Sequence, residues 1–192
     1  MKTIFLTGLL WIAWFASWIA ASFWTNKTVR RLNLRAELKY RAVTFFGLFL
    51  FFVLPAQSTK TSWHLWSVNN AIAWLCLGLV AVGFAFAWWA RIHIGRLWSG
   101  SITHKENHHI IDTGPYQIVR HPIYTGVSFA IVATVIQYGT INAVIGGILI
   151  IFSFWLKARL EEQWLASELG AHVYEDYKQR VPMLIPFLSN SR

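Results

Sequence analysis

One short stretch of the sequence, residues 114–126, holds most of the side chains that could do chemistry. It reads Gly-Pro-Tyr-Gln-Ile-Val-Arg-His-Pro-Ile-Tyr-Thr-Gly and stands directly before a long apolar run. Pro115 and Pro122 restrict the backbone, and Pro122 suits the first turn of a helix. The N-terminus of such a helix presents free N–H groups and a partial positive charge. With Arg120 and His121 beside it, the stretch indicates a site for an anionic group such as a carboxylate.

A second polar cluster, residues 157–162, follows the same apolar region and reads Lys-Ala-Arg-Leu-Glu-Glu. Acidic side chains near a bilayer are costly unless they are paired or functional. Glu161 and Glu162 could therefore pair with Arg120, or bind an amino group or ribose hydroxyls of a ligand. The alternative is an exposed Lys157–Glu161 ion pair, which contributes only roughly a few tenths of a kcal/mol.

The composition excludes an ordinary soluble domain. The 192 residues are 56% hydrophobic and 17% aromatic, and only 13% are charged, whereas soluble domains carry about 25% charged residues. The net charge of +9 does not indicate nucleic-acid binding, because the basic residues fall in short segments between apolar runs, as in membrane proteins. The single cysteine, Cys76, excludes an intramolecular disulfide.

Five apolar runs predict five transmembrane helices. The first, residues 3–25, is long enough to cross a hydrocarbon core of about 30 Å and longer than the apolar region of a signal peptide. The others are residues 42–56, 71–90, 123–138 and 141–156. The second run is short, so whether it spans fully stays open. The last two runs are joined only by Gly139 and Thr140, which predicts a tight helical hairpin.

The distribution of basic residues predicts the orientation. Five spans place fifteen Lys and Arg residues on one face and two on the other, which puts the C-terminus and both polar clusters in the cytoplasm and the N-terminus outside. The hairpin returns the chain to the level at which it began, so the two clusters should be neighbours. The predicted fold is an all-α polytopic membrane helix bundle with a cytoplasmic tail. Residues 1–92 form its N-terminal transmembrane helices and residues 93–192 its core, in one integrated domain.

The residue types alone indicate a cytoplasmic-face site for a zwitterionic ligand, but they leave other interpretations open. Arg120 could be a topology anchor, and Tyr116 and Tyr124 could be interfacial aromatic residues. No metal is assigned, because the histidines near residues 104–109 lack a clear Cys/His/carboxylate spacing. Pro182 and Pro186 break the tail, so residues 183–188 are expected to lie against the protein or the bilayer.

The combination of motifs resembles the isoprenylcysteine carboxyl methyltransferase family over roughly residues 93–188. The resemblance is carried by Gly-Pro-Tyr-x-x-x-Arg-His-Pro-x-Tyr-x-Gly, the hairpin, Glu-Glu-x-x-Leu, and the Tyr, Val-Pro and Pro-Phe residues of the tail. Related membrane methyltransferases that act on phospholipids share this core. The resemblance implies an integral-membrane methyltransferase that uses S-adenosylmethionine. Its acceptor would be a lipophilic small molecule or a lipidated partner.

The resemblance also implies site residues. The cofactor-binding positions would be His108, His109, Ile110, Ile111, Tyr116, His121, Pro122, Ile123, Tyr124 and Glu161. The candidate catalytic residues are Arg120, Lys157, Arg159 and Glu162. Members of the family often carry an arginine where this chain has Lys157. Lysine keeps the charge of arginine but lacks its planar bidentate fork.

The chemistry implied is methyl transfer between aligned groups in a dry site. A carboxylate acceptor, whose usual pKa is about 4, needs no general base, whereas an amine acceptor would need one, with Glu162 or His121 as candidates. The absence of a dedicated base favours a lipid-like carboxylate or thiolate. The alternatives are a phospholipid N-methyltransferase, a nicotinamide-dependent sterol-type reductase, and a non-enzymatic lipid-binding or scaffold protein. The acceptor and the oligomeric state stay open.

Overall fold

The computed structural model of the chain describes residues 2–53, 64–106, 110–169 and 171–188. Its helices are α1 (Lys2–Ser22), α2 (Leu34–Leu48), α3 (Asn70–Ile94), α4 (Pro122–Tyr138), α5 (Ile141–Leu169) and α6 (Ala171–Arg180). A π-helical turn, Phe49–Val53, continues α2, and two short 3₁₀ turns cover Gly95–Leu97 and Gly114–Gln117. One small antiparallel ribbon pairs β1 (Thr28–Arg31) with β2 (Thr103–Lys105). The predicted helical membrane bundle is confirmed, and the ribbon is an addition that the sequence did not indicate.

Each of the five predicted apolar runs forms a helix, although residues 54–56 of the second run lie outside the described residues. By length and composition, Lys2–Ser22, Asn70–Leu97 and Ile141–Glu168 can each cross a membrane, and Pro122–Tyr138 is a shorter apolar helix. The chain is therefore a multi-pass integral membrane protein. The fifth helix runs to Leu169, well past the predicted end at residue 156, because no helix breaker intervenes before Gly170.

The hydrophilic segments meet at two opposite ends of the bundle. At one end, Asn26 N donates to Arg96 O at 2.8 Å beside the β1–β2 ribbon. At the other end, Leu65 N donates to Gly139 O at 2.7 Å, where α4 turns into α5. Alternate connections therefore share an end of the bundle, as expected when successive helices run in opposite directions.

Close backbone contact holds α3 against α4. A Cβ atom at Gly83 would lie 2.6 Å from Gly126 O, and one at Gly126 would lie 2.6 Å from Gly83 O. Small residues allow this approach at helix interfaces in membranes. Polar contacts add α1 to the pair: Thr7 Oγ1 donates to Gln137 Oε1 at 2.7 Å, and Trp11 Nε1 donates to Thr134 Oγ1 at 3.1 Å. Helix α4 is thus packed against α3 near its start and against α1 near its end.

Arg91, near the end of α3, is completely buried. Its guanidinium donates to Ala21 O at 2.7 Å, Trp24 O at 2.8 Å and Gly95 O at 2.6 Å. It also lies over the rings of Trp24 and Trp98, at 5.1 and 4.7 Å from their centroids. The sequence analysis treated Arg91 only as one of the basic residues of a cytoplasmic segment. In the structure it joins the ends of α1 and α3 and fixes the turn that leads into the site.

Candidate functional site

A cavity of about 930 Å³, including its open mouth, lies at the end of the bundle where α4 begins. Three parts of the chain form its wall: residues 94–103, residues 110–124, and the end of α5 together with α6. The two polar clusters of the sequence therefore meet around one cavity.

Most of the predicted cofactor-binding residues line this cavity. They are Ile110, Ile111, Tyr116, His121, Pro122, Ile123, Tyr124 and Glu161. His108 and His109 lie outside the described residues. Among the predicted catalytic residues, Arg120 also lines the cavity, whereas Arg159 and Glu162 line a second groove between α5 and α6.

Glu161 presents its carboxylate to the cavity in a fixed orientation. The hydroxyl of Tyr124 donates to both carboxylate oxygens, at 2.8 and 2.9 Å. Lys157 Nζ lies 3.7 Å from Oε1, and His121 Nδ1 lies 3.6 Å from Oε2. The Tyr124 ring is stacked between the rings of His121 and Phe154, with centroid distances of 5.4 and 5.2 Å. The carboxylate is therefore held in place before any ligand arrives.

Glu162 is the partner of Arg120 instead. Its carboxylate accepts from Arg120 Nε at 2.7 Å and Nη2 at 3.2 Å, and from His121 Nε2 at 3.1 Å. Both members of the Arg120–Glu162 pair are buried. Arg120 Nη1 donates to Lys178 O at 3.0 Å and also to Val181 O. Of the two interpretations of the glutamates, pairing with Arg120 therefore applies to Glu162, and Glu161 is the one that faces the cavity.

The tail accepts hydrogen bonds from groups that the sequence analysis predicted would bind an anion. Arg120 N donates to Pro182 O at 2.8 Å, and His121 N donates to Met183 O at 3.1 Å. Since the guanidinium of Arg120 also contacts the tail, these groups hold residues 181–183 rather than a ligand. The geometry of Arg120 favours a positioning role, and the catalytic role stays a prediction.

Helix α6 closes the cavity with two buried tyrosines. Tyr177 OH donates to Tyr116 O at 2.7 Å, which ties α6 to the Gly114–Gln117 turn. Burial raises the pKa of Tyr116, Tyr174 and Tyr177 well above the usual value of a phenol. At neutral pH these phenols stay protonated, so they can donate hydrogen bonds but are poor bases.

Gly114 allows His93 to support Tyr116. Its φ is +58°, and a Cβ there would lie 2.6 Å from the His93 ring. That ring stacks against Tyr116 at a centroid distance of 6.3 Å, and its Nε2 lies 2.9 Å from Thr113 Oγ1. A side chain at position 114 would therefore disturb the cavity wall.

The loop of residues 99–103, which sequence reasoning did not assign to the site, forms another wall. Glu37 of α2 accepts from Ile102 N at 2.8 Å, and Arg41 donates to Ser101 Oγ at 2.8 Å. From α5, Lys157 Nζ donates to Gly100 O at 2.8 Å. Lys157 thus contacts this wall and lies near Glu161. The sequence carried no signal for the contact between α2 and this loop, since the residues are about sixty positions apart.

The side chain of Arg159 does not point toward the cavity that holds Glu161. Its guanidinium lies over the ring of Trp155, 4.4 Å from the centroid, beside the second groove. A direct role for Arg159 at the cavity stays a prediction.

Two polar atoms in the cavity wall have no hydrogen-bond partner among the described residues. They are Thr103 Oγ1 and Trp164 Nε1, and both are buried. A buried polar group without a partner costs about 1–3 kcal/mol. A ligand with acceptor atoms, entering the cavity, could satisfy both. Sequence reasoning missed these two residues, because neither belongs to a polar cluster.

Comparison with known proteins shows which family the central part of the chain resembles. The sequence profile described as "Isoprenylcysteine carboxyl methyltransferase (ICMT) family" matches residues 75–167. The chain is 30% identical over 129 residues to the protein-S-isoprenylcysteine O-methyltransferase B of Arabidopsis thaliana, which covers 66% of this chain and 62% of that protein. It is 23% identical over 174 residues to a probable protein-S-isoprenylcysteine O-methyltransferase of Oryza sativa subsp. indica. That match covers 88% of this chain and 87% of the rice protein.

Over residues 75–167 the chain matches the isoprenylcysteine carboxyl methyltransferase family. The solved structure of a eukaryotic intramembrane Ras methyltransferase, ICMT, has a similar fold, with a TM-score of 0.53 and 21% identity. The match covers 83% of this chain and 53% of that one. This chain thus spans less than two thirds of the Arabidopsis relative and about half of the solved chain.

The family segment contains most of the site but not all of it. Both polar clusters, Thr103 and Trp164 fall within residues 75–167. Glu37 and Arg41 precede that segment, and α6 with its tyrosines follows it. The frame of the cavity is therefore built partly by residues outside the family match.

Proposed function

We propose that the chain is an S-adenosylmethionine-dependent methyltransferase that esterifies the carboxylate of a lipophilic, isoprenylcysteine-like acceptor. The observation that carries the proposal is the cavity at the start of the hairpin. There the family motifs converge and Tyr124 fixes the carboxylate of Glu161 toward the interior. The names of the two plant relatives support the reaction class.

The cavity fits the proposed cofactor in charge and polarity. Glu161 is an anionic partner for the amino group of the methionine moiety. The buried donors Thr103 Oγ1 and Trp164 Nε1, which have no partner among the described residues, suit ring nitrogens or ribose oxygens of an adenosyl group. Ile110 and Leu165 supply apolar wall for the base. These residues would hold the cofactor, which supplies a methyl group already activated on a sulfonium.

The remaining task of the protein is to orient the two reactants and exclude water. Helix α6 places the buried Tyr174 and Tyr177 behind the cavity. Both phenols stay protonated at neutral pH, because burial raises their pKa. A carboxylate acceptor, with a usual pKa of about 4, is already ionised at neutral pH. In the transfer, an acceptor oxygen would be joined to the methyl carbon as the bond between that carbon and sulfur breaks, and no protein base would be needed. This favours the ester over an N-methyl product.

The acceptor is proposed to be lipophilic because the cavity opens within a membrane protein. Ile94, Leu97 and Trp98 give its wall a strongly apolar part close to the bilayer end of α3. The solved structure of similar fold is described as a Ras methyltransferase, which supports a lipidated protein as the acceptor. The same argument supports a prenyl group as the anchor of the acceptor.

The site is proposed to face the cytoplasm, with the N-terminus outside. The basic segments of residues 26–41 and 91–120 meet at the end of the bundle that holds the cavity. Basic residues collect on the cytoplasmic side of membrane proteins.

Methyl incorporation tests the proposal. The full chain in lipid vesicles would be given S-adenosylmethionine labelled in the methyl group and an S-prenylated cysteine with a free carboxylate. Its carboxamide is the matched control. We expect base-labile label in the acid and none in the amide. Base-stable label in phospholipid would instead indicate N-methylation, and binding of a reduced nicotinamide without any methyl transfer would indicate a reductase.

A further inference from the structure

The C-terminal turn at residues 185–188 displays apolar side chains away from the protein. Phe187 is 98% exposed, and Ile185 and Leu188 are each 59% exposed. The backbone of Phe187 has φ +64°, the only positive φ at a non-glycine residue in the part of the chain that the structure describes. Bulky residues rarely adopt this conformation. The turn therefore directs a large apolar side chain away from the protein, where an apolar environment would favour it.

The position of the turn is fixed by the residues just before it. Pro182 O and Met183 O accept hydrogen bonds from the backbone immediately before α4, and Leu184 O accepts from Thr125 Oγ1 at 2.6 Å. Helix α4 is apolar and begins at Pro122. The turn therefore lies at the level where the chain enters the membrane.

The character of the chain changes sharply at this point. Helix α6 carries charged side chains on its exposed surface, among them Glu175, Asp176 and Arg180. Residues 184–188, in contrast, read Leu-Ile-Pro-Phe-Leu. A charged helix followed by an apolar turn at the membrane boundary is the pattern of a segment whose two parts face water and lipid.

We propose that residues 185–188 are an interfacial anchor that inserts Ile185, Phe187 and Leu188 into the bilayer. The occupant of this apolar surface is lipid, at the boundary between headgroups and acyl chains. Insertion holds the tail at residues 181–184 against the start of α4, and with it the Arg120–Glu162 pair behind the cavity. The inference depends on the membrane character of the chain and not on the reaction that it catalyses.

Spin labelling measures the depth of the turn. Cys76 is the single cysteine and is buried, so a Cys76→Ala background allows one nitroxide at Phe187→Cys in the full chain in vesicles. The control is the same label at Glu175→Cys, an exposed position of α6. Since position 187 contacts water or lipid rather than protein, the label should not disturb folding.

We expect the label at position 187 to collide more often with oxygen than with a water-soluble nickel chelate, at a depth of about 5–10 Å. The label at position 175 should show the opposite preference. Equal nickel accessibility at the two positions would overturn the proposal. So would a label at 187 that is shielded from both reagents, because that would indicate a protein contact, including one with a second copy of the chain.

Discussion

Arg120 and Glu162 form a buried bidentate ion pair, with Nε 2.7 Å from Oε1 and Nη2 3.2 Å from Oε2. The pair joins three parts of the chain: the residues before α4, helix α5, and the tail that accepts hydrogen bonds from the same guanidinium. Because both side chains are buried, each charge is stabilised mainly by the other. Integrity of the cavity wall should therefore depend on this contact.

Replacing Arg120 by methionine should destabilise the protein by about 3–5 kcal/mol, since the buried charge of Glu162 would keep only His121 beside it. Thermal unfolding in detergent micelles measures the loss, and hydrogen exchange should rise first in residues 174–184. The control is Arg180→Met, because Arg180 pairs with Asp112 and Asp176 at an exposed surface. Similar unfolding temperatures for the two variants would show that the buried pair does not hold the tail.

Tyr124→Phe removes the hydroxyl that orients Glu161 and leaves the stacked ring in place. A hydrogen bond to a charged group is worth about 1.5–3 kcal/mol, so affinity for S-adenosylmethionine should fall by roughly 10-fold or more. Titration calorimetry provides the measurement. Tyr138→Phe, at the other end of α4, is the matched control and should bind normally. An unchanged affinity in Tyr124→Phe would mean that Glu161 does not need this donor.

Gly114→Ala should distort the turn that carries Tyr116. The left-handed backbone costs a non-glycine residue roughly 1–2 kcal/mol, and the new Cβ would meet the His93 ring at 2.6 Å. We expect lower cofactor affinity with the fold retained, as followed by calorimetry and circular dichroism. Gly78→Ala is the control, because its Cβ would have no atom within 4 Å. Full affinity in Gly114→Ala would contradict the described wall.

Gly126→Ala should separate α3 from α4. Its Cβ would lie 2.6 Å from Gly83 O, and overpacking of this kind costs about 1–3 kcal/mol. The unfolding temperature in micelles should fall. Gly8→Ala in α1, where the Cβ meets open space, should leave it unchanged or raise it slightly. A drop of equal size in both variants would argue against a specific α3–α4 contact.

The sequence was sufficient for the helices and for the meeting of the two clusters. Apolar runs of this length must satisfy their backbone groups internally in a bilayer, so they form helices. A two-residue link between the last two runs then forces a hairpin, and the hairpin returns Glu161 to His121. These steps need no knowledge of side-chain packing.

The sequence could not show which of Glu161 and Glu162 faces the cavity and which pairs with Arg120. Neighbouring residues on a helix point roughly 100° apart, so one carboxylate faces the cavity and the other faces Arg120. Which one does so depends on how α5 is rotated in the bundle. The role of Arg91 could not be predicted either. A basic residue at the end of an apolar run can lie exposed in a loop, or it can be buried and bonded to the ends of two helices.

Binding of S-adenosylmethionine to the purified full chain, with Glu161→Gln as the paired variant, tests the central claim most directly. Titration calorimetry in lipid nanodiscs should show saturable binding to the native protein. The glutamine variant keeps the shape of the side chain and loses its charge, so its affinity should fall by roughly 10- to 100-fold, as expected for a charged contact of about 1.5–3 kcal/mol. Absence of binding to the native chain, or equal affinity in the two proteins, would contradict the account.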